Sequence, residues 1–352
     1  PDVQHSFCLY AGTGGGKTKA AALVAARQLN TKVVDQIVFV CPNNSISLKT
    51  RKDFLQCFGI DLVRFHAGRH VDGVPRMKQG YAMTYQHLMK NPELHGRLCS
   101  GTSTLVIFDE IHHLGDATGW GDAARTAFDR APFVLALTGT PYRSDNNKIP
   151  FVAYEDVGES GVMRFRPDFS YNLGRAVADG VCRKPVFVFH DGVVKYRNGP
   201  DTGESIVSFD DVGVSDEVSS IRLRGSVKFG SESRRTLLAR ALEECKRDNR
   251  KAIIFLGGDT EGDQTPTEDA TSLLPSELIE LGLTEADYEV IVGDDKESHK
   301  KIESFGQSGK RVLVSINMVS EGTDIPQISA AIFLTSVTAK QTTVQRIGRA
   351  LR

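Results

Sequence analysis

Short apolar runs alternate with polar-faced helical segments along the whole chain, a pattern typical of a parallel α/β sheet. In the first half, the apolar runs predict strands at Ser6–Tyr10, Gln36–Cys41, Gly80–Thr84, Thr104–Asp109 and Phe133–Thr138. In the second half, they predict strands at Pro185–His190, Lys251–Leu256, Tyr288–Val292, Arg311–Ile316 and Ala330–Leu334. The intervening segments predict helices at Lys17–Leu29, Ser231–Asp248 and Asp295–Phe305.

A polar segment separates the two halves and suggests two domains. Tyr142–Pro167 carries Gly158, Gly161 and Pro167 among polar residues, so we expect domains at 1–165 and 166–352, in keeping with about 150 residues per domain. A second polar stretch, 192–230, is rich in Gly, Ser, Asp and Val. Composition leaves open whether that stretch is an accessory β insertion or a mobile loop.

The net charge of the chain limits the classes of partner that it can bind. The chain has 43 Lys and Arg against 44 Asp and Glu, a formal net charge of −1. This excludes a histone-like polycation that binds through bulk charge, but it permits nucleic acid held by backbone amides and a few side chains. With 40% hydrophobic and 25% charged residues, the composition is that of a globular protein and excludes disorder of the whole chain.

Several features predict an intracellular protein, cytoplasmic or, in a eukaryote, nuclear. The longest apolar run, Ala20–Ala26, is too short to span a bilayer, and no secretory signal opens the chain. The six cysteines include no C-x-x-C pair, which favours a reducing compartment over a disulfide framework or zinc cluster. Because the sequence begins at Pro1 and stops at Arg352, we expect a fragment of a longer protein.

A glycine-rich segment between a predicted strand and a predicted helix indicates a phosphate loop. Its members are Ala11, Gly12, Thr13, Gly14, Gly15, Gly16, Lys17 and Thr18. Glycines let successive amides turn towards an anion, while the helix directs its positive end at the same point. Lys17 suits the β and γ phosphates, and Thr18 offers a hydroxyl to Mg²⁺. The bland alternative is a flexible glycine turn, and Ala11 departs from the first consensus glycine.

Adjacent carboxylates end a buried strand at Asp109 and Glu110. Open α/β sheets bind ligands at the carboxyl ends of their strands, so both side chains should face the phosphate loop. Asp109 suits Mg²⁺, and Glu110 is then placed to polarise an attacking water, which favours hydrolysis over a kinase reaction. The alternative is an ordinary surface turn. His112 and His113 lack partners at metal-ligand spacing, which favours structural or coupling roles.

Five segments occur in the order of the motif series of superfamily 2 helicases of the DExH type, and the chain resembles that family over nearly its whole length. They are Ala11–Thr18, Asp109–His112, Thr138–Pro141, Ser320–Asp324 and Gln345–Arg349. The Asp-Glu-Ile-His and Thr-Gly-Thr-Pro-Tyr-Arg segments resemble most the XPB/UvsW-like and restriction-helicase branch. The resemblance implies a P-loop NTPase of two RecA-like parallel-sheet domains, with ATP between them and nucleic acid across their tops.

The resemblance also implies a role for each matching residue. Lys17 and Thr18 bind phosphates and Mg²⁺, Asp109 holds Mg²⁺ and Glu110 is the catalytic base. Gly322 and Asp324 would contact the nucleotide, and Gln345 would contact the γ-phosphate or the attacking water. Arg346 and Arg349 would act as arginine fingers. The residues that would couple hydrolysis to domain movement are His112, Thr138 and Thr140. Independently of the family, arginines three residues apart share a helix face, and phosphoryl transfer needs positive charge over the phosphate oxygens.

Residues at the strand ends are the candidates for nucleic-acid contact. They are Pro42, Asn43, Thr84, Tyr85, Gly257, Ser320 and Thr323. Small and hydroxyl residues there expose amides to phosphates and read the backbone rather than the bases. The family's adenine-reading glutamine normally lies further upstream than Gln4, and its second domain usually continues beyond the last arginine motif.

These observations predict an ATPase that uses ATP and Mg²⁺ to translocate on or unwind DNA. DNA is favoured over RNA only by the branch resemblance, and a larger protein complex is a further expected partner. Two alternatives stay open. One is a P-loop kinase, and the other is an ATP-gated nucleic-acid-binding switch in a defence, restriction or repair complex.

Overall fold

Strands and helices alternate to form two units, Pro1–Cys182 and Arg183–Arg352. The computed structural model describes residues 5–12, 14–66, 68–70, 73–75, 77–115, 119–140, 148–156, 163–188, 191–197, 203–247, 250–257, 265–293, 296–316, 325, 327–335, 343–344, 346–348 and 351. Across these ranges, no helix is long and apolar enough to cross a membrane.

The first unit is built on a parallel sheet. Its strands are β1 (His5–Ala11), β2 (Gln36–Cys41), β3 (Leu62–Arg64), β4 (Gly80–Thr84), β5 (Thr104–Phe108), β6 (Phe133–Thr138), β7 (Ala153–Asp156), β8 (Met163–Arg166) and β9 (Phe169–Tyr171). Its helices are α1 (Lys17–Asn30), α2 (Asn44–Phe58), α3 (Tyr85–Lys90), α4 (Pro92–Cys99), α5 (Trp120–Phe128) and α6 (Leu173–Ala178), with a 3₁₀ turn at Ile111–Gly115. The strand order is β3-β4-β2-β5-β6-β1-β9, while β7 and β8 form a separate antiparallel pair.

Helices cover both faces of this sheet, so its central strands are apolar throughout. Every residue of β2, β4 and β5 is buried. Ile37 and Phe39 point into one core with α1 and α2, whereas Val38 and Val40 point into the other with α5. This two-residue alternation within an unbroken apolar run is the pattern of a strand buried on both faces.

Pairing of β9 with β1 sets the end of the first unit. Leu9 lies opposite Phe169 in a parallel register, and the Cys8 amide donates to the Asp168 carboxylate at 2.7 Å. The unit therefore extends to Cys182, past the boundary that composition places between 165 and 166, because the segment after that boundary completes the first sheet.

The second unit has a smaller parallel sheet of order β13-β14-β12-β15 within the described residues. The strands of this unit are β10 (Val193–Tyr196), β11 (Ser205–Ser208), β12 (Lys251–Gly257), β13 (Tyr288–Val292), β14 (Val312–Ile316) and β15 (Ile328–Thr335). The helices are α7 (Asp216–Val227), α8 (Glu232–Arg247), α9 (Pro266–Glu268), α10 (Leu274–Glu280) and α11 (Lys296–Gln307), with a π-helical turn at Asp269–Leu273.

The strand predicted at Pro185–His190 is not present in the part of it that the structure describes. Residues 185–188 have no regular structure, and Val186 and Phe187 are 82% and 57% exposed. The continuous apolar run is typical of a buried strand, but these residues pair with no described strand. This prediction is therefore wrong for 185–188.

The stretch 192–230 contains a hairpin and a helix. Strands β10 and β11 pair antiparallel, and Arg222 of α7 donates to the carbonyls of Ser208, Phe209 and Asp211 at 2.9–3.1 Å. A Cβ at Gly225 would lie 2.6 Å from Val194, so glycine permits the close approach of helix and hairpin. Of the two predicted alternatives, the described residues fit the accessory insertion.

A buried ion network fixes the start of α8 to the π-helical turn and α10. Arg234, with a side chain 1% exposed, donates to both Asp269 oxygens at 2.5 and 2.7 Å and to Glu277 at 2.7 Å. It also donates to the Val227 carbonyl at 3.1 Å. Burial alone lowers the pKa of Arg234, but hydrogen bonds and charges from Asp269 and Glu277 raise it overall. The Arg234 guanidinium therefore stays charged, and its hydrogen bonds are made within the protein, as a buried charge requires.

Arg234→Ala is expected to destabilise the second unit by about 3–5 kcal/mol, because it leaves two buried carboxylates without their cation. Urea unfolding followed by far-UV circular dichroism measures the change. The matched control is Arg235→Ala, since Arg235 pairs with Glu280 at 3.5 Å on the surface and its loss should shift stability by less than about 0.5 kcal/mol. Equal destabilisation by the two variants would contradict the assignment.

Candidate active site

The phosphate loop leaves β1 and enters α1 through backbone conformations that glycine permits. Gly14 and Gly16 have φ angles of 84° and 81°, in the left-handed region that side chains disfavour. A Cβ at Gly15 would lie 3.0 Å from the Gly12 carbonyl oxygen, tighter than nearly all such contacts. Three of the predicted glycines therefore have a steric reason to be glycine, while Thr13 lies outside the described residues.

The first turn of α1 provides the positive end that the sequence predicts. Gly16 caps the helix without a side-chain bond, and no acidic residue lies in the first turn. Unneutralised amides at a helix start favour an anion. Thr18, in this same turn, is half-buried.

Lys17 links the loop to the acidic strand end. Its Nζ donates to the Ala11 carbonyl at 3.1 Å and lies 3.4 Å from Glu110 Oε1. The two side chains are 10% and 19% exposed. Because β6 lies between β5 and β1, this contact joins the carboxyl ends of strands that are not neighbours in the sheet. The predicted approach of an acid to the loop is thus observed for Glu110.

Glu110 is held in an unusual backbone conformation. Its φ is 51°, a left-handed value that costs a non-glycine residue about 1–3 kcal/mol and is concentrated at functional sites. On the preceding residue, the buried Asp109, the backbone is fixed from two sides. Its amide donates to the Val40 carbonyl at 2.8 Å, and its carbonyl accepts from the Tyr85 hydroxyl at 2.8 Å.

The carboxylate of Glu110 is surrounded by groups that favour its ionised form. The Gly139 amide donates to Oε2 at 3.1 Å, and His112 Nδ1 lies 3.6 Å from the same oxygen. Burial by itself raises the pKa of Glu110, but Lys17, His112, the Gly139 amide and His113 together lower it below its ordinary value. The group is therefore charged at neutral pH, as a proton acceptor must be.

Three predicted coupling residues meet beside this carboxylate. His112 Nδ1 lies 3.1 Å from Thr138 Oγ1 and 3.3 Å from Thr140 Oγ1, and the Thr140 amide donates to Thr138 Oγ1 at 3.2 Å. All three side chains are buried. The cluster joins the 3₁₀ turn after β5 to the end of β6.

Both halves of the chain match known protein families. Residues 2–143 match the family described as Type III restriction enzyme, res subunit, and residues 233–352 match the Helicase conserved C-terminal domain. The uncharacterized protein Rv2917 of Mycobacterium tuberculosis is 33% identical over 348 residues, which is 99% of this chain and 56% of that protein. The DNA 3'-5' translocase XPB2 of Sulfurisphaera tokodaii is 24% identical over 264 residues, 70% of this chain and 55% of that protein.

The fold agrees with these matches. The helicase MrfA, solved bound to DNA, superposes with a TM-score of 0.59 at 13% identity, over 99% of this chain and 42% of that chain. The chain belongs to the superfamily 2 helicases. Its two parallel sheets are the RecA-like domains of that superfamily, as the motif order predicts. The chain spans just over half the length of the curated relatives named above.

Two of the candidate nucleic-acid residues in the first helicase domain use their side chains to cap helices of the same domain. Asn43 accepts from the Ile46 amide at 2.9 Å and caps α2, and Thr84 accepts from the His87 amide at 3.3 Å and caps α3. Pro42 and Asn43 are half-buried. The side-chain oxygens of Asn43 and Thr84 are therefore used within the domain, as helix caps.

Tyr85 does not fit the predicted contact with nucleic acid, because its side chain is fully buried. The ring stacks between Phe108 and Trp120, with centroids at 6.4 and 5.6 Å, and the hydroxyl reaches Asp109. The prediction is corrected to a positioning role between α3 and the acidic strand end. Only the tertiary packing reveals this role, since the local sequence does not tell which face of α3 is covered.

Tyr171 of β9 also contacts the phosphate loop, although its sequence context does not predict this. Its carbonyl accepts from the Gly12 amide at 3.2 Å, and its ring lies 3.4 Å from the Cβ position at Gly15. It supports the phosphate loop from the edge of the sheet. A strand of three residues leaves too little pattern to be recognised.

In the second helicase domain, Arg346 is predicted to be an arginine finger, but its side chain is buried. Its side chain is 2% exposed, and its guanidinium carbon lies 5.2 Å from the centre of the Phe255 ring. Burial lowers the pKa of Arg346. Because a finger must present its guanidinium to a phosphate, this burial argues for a packing role. Gly257 ends β12, with its carbonyl accepting from Thr335 at 2.5 Å.

The remaining predicted site residues of the second domain lie outside the described residues. They are Ser320, Gly322, Thr323, Asp324, Gln345 and Arg349.

Proposed function

We propose that this chain is the motor portion of a DNA-dependent ATPase that couples ATP hydrolysis to translocation along DNA. The observation that carries the proposal is the Glu110 carboxylate, ionised and 3.4 Å from the phosphate-loop lysine. An ionised glutamate beside a phosphate cradle is suited to orient a water and accept its proton. A kinase must instead exclude water, so this arrangement favours hydrolysis.

Thr18 and Asp109 fit a magnesium ion, since a hydroxyl and a carboxylate are the hard oxygen donors it prefers. When bound, Mg²⁺ neutralises charge on the β and γ phosphates. The chain itself contributes the amides of Gly14 and Gly16, the Lys17 ammonium and the Glu110 carboxylate. The Gly12 and Gly15 amides shape the loop instead, because they donate to the carbonyls of Tyr171 and Gly12. His112, Thr138 and Thr140 transmit the state of this site to the rest of the first domain.

The second domain is proposed to complete the site. Gln345 orients the water or the γ-phosphate, Gly322 and Asp324 contact the nucleotide, and Arg349 supplies the positive charge that phosphoryl transfer requires. Arg346 is assigned to packing against Phe255 rather than to this chemistry. Ser320, Thr323 and Gly257 are proposed as contacts to the nucleic-acid backbone.

DNA is proposed as the polymer because the relative XPB2 bears the name of a DNA translocase. The amides at the starts of α2 and α3 suit a phosphate backbone irrespective of base. A grip of this kind is compatible with movement from site to site, because it makes few contacts that depend on sequence.

The rate of ATP hydrolysis by the 352-residue chain is expected to rise several-fold with DNA and less with RNA. The reason is that polymer bound at the start of α3 acts on Asp109 through Tyr85. Phosphate release is measured with single-stranded DNA, duplex DNA, RNA and no polymer. Lys17→Ala is the control, because it removes the phosphate-binding ammonium. Equal rates in all four conditions would contradict the proposal, and stimulation by RNA alone would overturn the choice of DNA.

Translocation is separated from a switch that only changes shape by displacement of a triplex-forming strand. Directional stepping removes the third strand in an ATP-dependent reaction. A chain that hydrolyses ATP with DNA but leaves the triplex intact would be the ATP-gated switch.

A further inference from the structure

The edge strand β3 ends in a turn whose flanking residues are basic. Phe65 is 3% exposed and packs against the rings of Tyr81, His87 and His95, with centroids at 4.6–5.3 Å. The Arg69 and His70 amides donate to the His66 carbonyl at 2.9 and 3.0 Å. The buried Phe65 ring thus anchors a turn at the surface of the domain.

The side chains around this anchor are accessible. Arg64, His66 and Arg69 are exposed, while His70 and His87 are half-buried. The His66 amide donates to His70 Nδ1 at 3.0 Å, which leaves Nε2 of His70 as the ring donor. These five residues are named the β3 patch.

Cations from three segments converge at the β3 patch. Burial lowers the pKa of His87, and the neighbouring His66, Lys90 and Arg64 lower it further. Burial, His66 and Arg69 likewise lower the pKa of His70. The charged groups that act on both histidines are therefore basic. Such a concentration of like charge is unfavourable by itself and attracts a polyanion.

A nearby carboxylate is already paired. Asp61 forms an ion pair with Lys78, so it is engaged away from Arg64. Arg64 instead donates to the Asn44 side chain at 3.3 Å. This contact joins the patch to the start of α2, where Asn43 and Pro42 are candidates for phosphate contact.

The strand order makes these features continuous. Strands β3, β4 and β2 are neighbours and run parallel at about 4.8 Å spacing. Their carboxyl ends carry Arg64, Thr84 and Pro42 in turn. The phosphate loop follows β1, on the far side of β5 and β6 in the same sheet. The nucleotide and the patch therefore lie along the same edge of the sheet but at different strands.

We propose that the β3 patch binds the phosphodiester backbone of the nucleic acid and extends the contact surface beyond the loops after β2 and β4. The inference rests on the proposed function and adds the residues of a binding site to it. Arg64 and Arg69 provide permanent charge, and the rings of His66 and His70 donate hydrogen bonds to phosphate oxygens. His87 supports the patch from beneath, because its Nε2 is buried. The patch reads no bases.

The experiment measures the binding of the whole chain to a fluorescent 20-nucleotide oligo(dT) between about 50 and 200 mM salt. Each phosphate neutralised on a single strand contributes about 0.7 to the slope of log affinity against log salt. Arg64→Ala/Arg69→Ala is therefore expected to reduce the slope by about 1.4. Arg64→Lys/Arg69→Lys keeps the charge and should retain most of the slope.

The matched control is Arg27→Ala/Arg97→Ala. Both arginines are exposed and lie in the last turns of α1 and α4, towards the amino ends of β2 and β5. The control removes the same charge from the opposite edge of the sheet, so its slope should equal that of the unaltered chain. Circular dichroism verifies the fold of each variant.

An unchanged slope for Arg64→Ala/Arg69→Ala, with oligo(dT) still bound, would overturn the patch and leave the proposed function intact. An equal decrease in the control would also overturn it, because bulk charge would then explain the effect. If the unaltered chain binds neither oligo(dT) nor duplex DNA, the proposed function fails, and the patch fails with it.

Discussion

Glu110→Gln is expected to slow ATP hydrolysis by about 10²–10⁴-fold while ATP still binds. Glutamine preserves the size of the side chain and can still accept a hydrogen bond from the Gly139 amide. It cannot accept a proton, and it removes the negative charge that Lys17 and His112 stabilise. Single-turnover hydrolysis measures the chemical step, and equilibrium binding of a fluorescent ATP analogue measures affinity.

The matched control for this substitution is Glu155→Gln, because Glu155 is an exposed residue of β7 in the same domain. Its hydrolysis rate should equal that of the unaltered chain. If Glu110→Gln hydrolyses ATP at the normal rate, Glu110 is not the base. If it loses ATP binding to the same extent as Lys17→Ala, the carboxylate acts in forming the site rather than in the reaction.

Arg349→Ala is expected to slow hydrolysis by about 10³-fold or more and to leave ATP binding largely intact. The phosphate loop and acids lie in the first domain, so affinity should depend mainly on them. The proposed guanidinium acts on charge that develops during phosphoryl transfer, and its removal should therefore appear in the chemical step. Single-turnover rates at saturating ATP provide the measurement.

Arg346→Ala, three positions earlier in the sequence, provides the contrast. Because Arg346 is buried against Phe255, its loss should lower the urea midpoint of the second domain, an effect that Arg349→Ala should not share. Near-normal turnover by Arg349→Ala would remove the proposed contribution of the second domain. A large loss of turnover by Arg346→Ala with unchanged stability would restore Arg346 as the finger.

The strands that sequence predicts well are those with a complete apolar run between polar turns. β2, β4 and β6 have the predicted bounds, because burial on both faces makes the whole run apolar. Residues 185–188 have the same local pattern but pair with no described strand. Pairing is a property of distant segments, so local periodicity does not determine it. The three-residue strands β3 and β9 are too short to leave a pattern.

Part of the candidate site likewise follows from the sequence, and part depends on tertiary contacts. The approach of Lys17 to Glu110 follows from their positions at strand ends, since parallel strands bring those ends to one edge. The left-handed backbone of Glu110 and its bond from the Gly139 amide depend on how β5 and β6 are joined. The burial of Arg346 depends on Phe255, about ninety residues earlier in the chain. The spacing of the two arginines in the sequence predicts that they share a helix face, but it does not predict whether that face is buried.

The stacking of Tyr85 on Trp120 has a practical consequence. Trp120 is the single tryptophan of the chain, and its ring lies 5.6 Å from that of Tyr85. Tyr85 in turn holds the backbone next to Glu110. Tryptophan emission of the unlabelled chain therefore originates where α3 meets the acidic strand end. Spectroscopy of this one indole can test the proposed communication between the two without an attached dye.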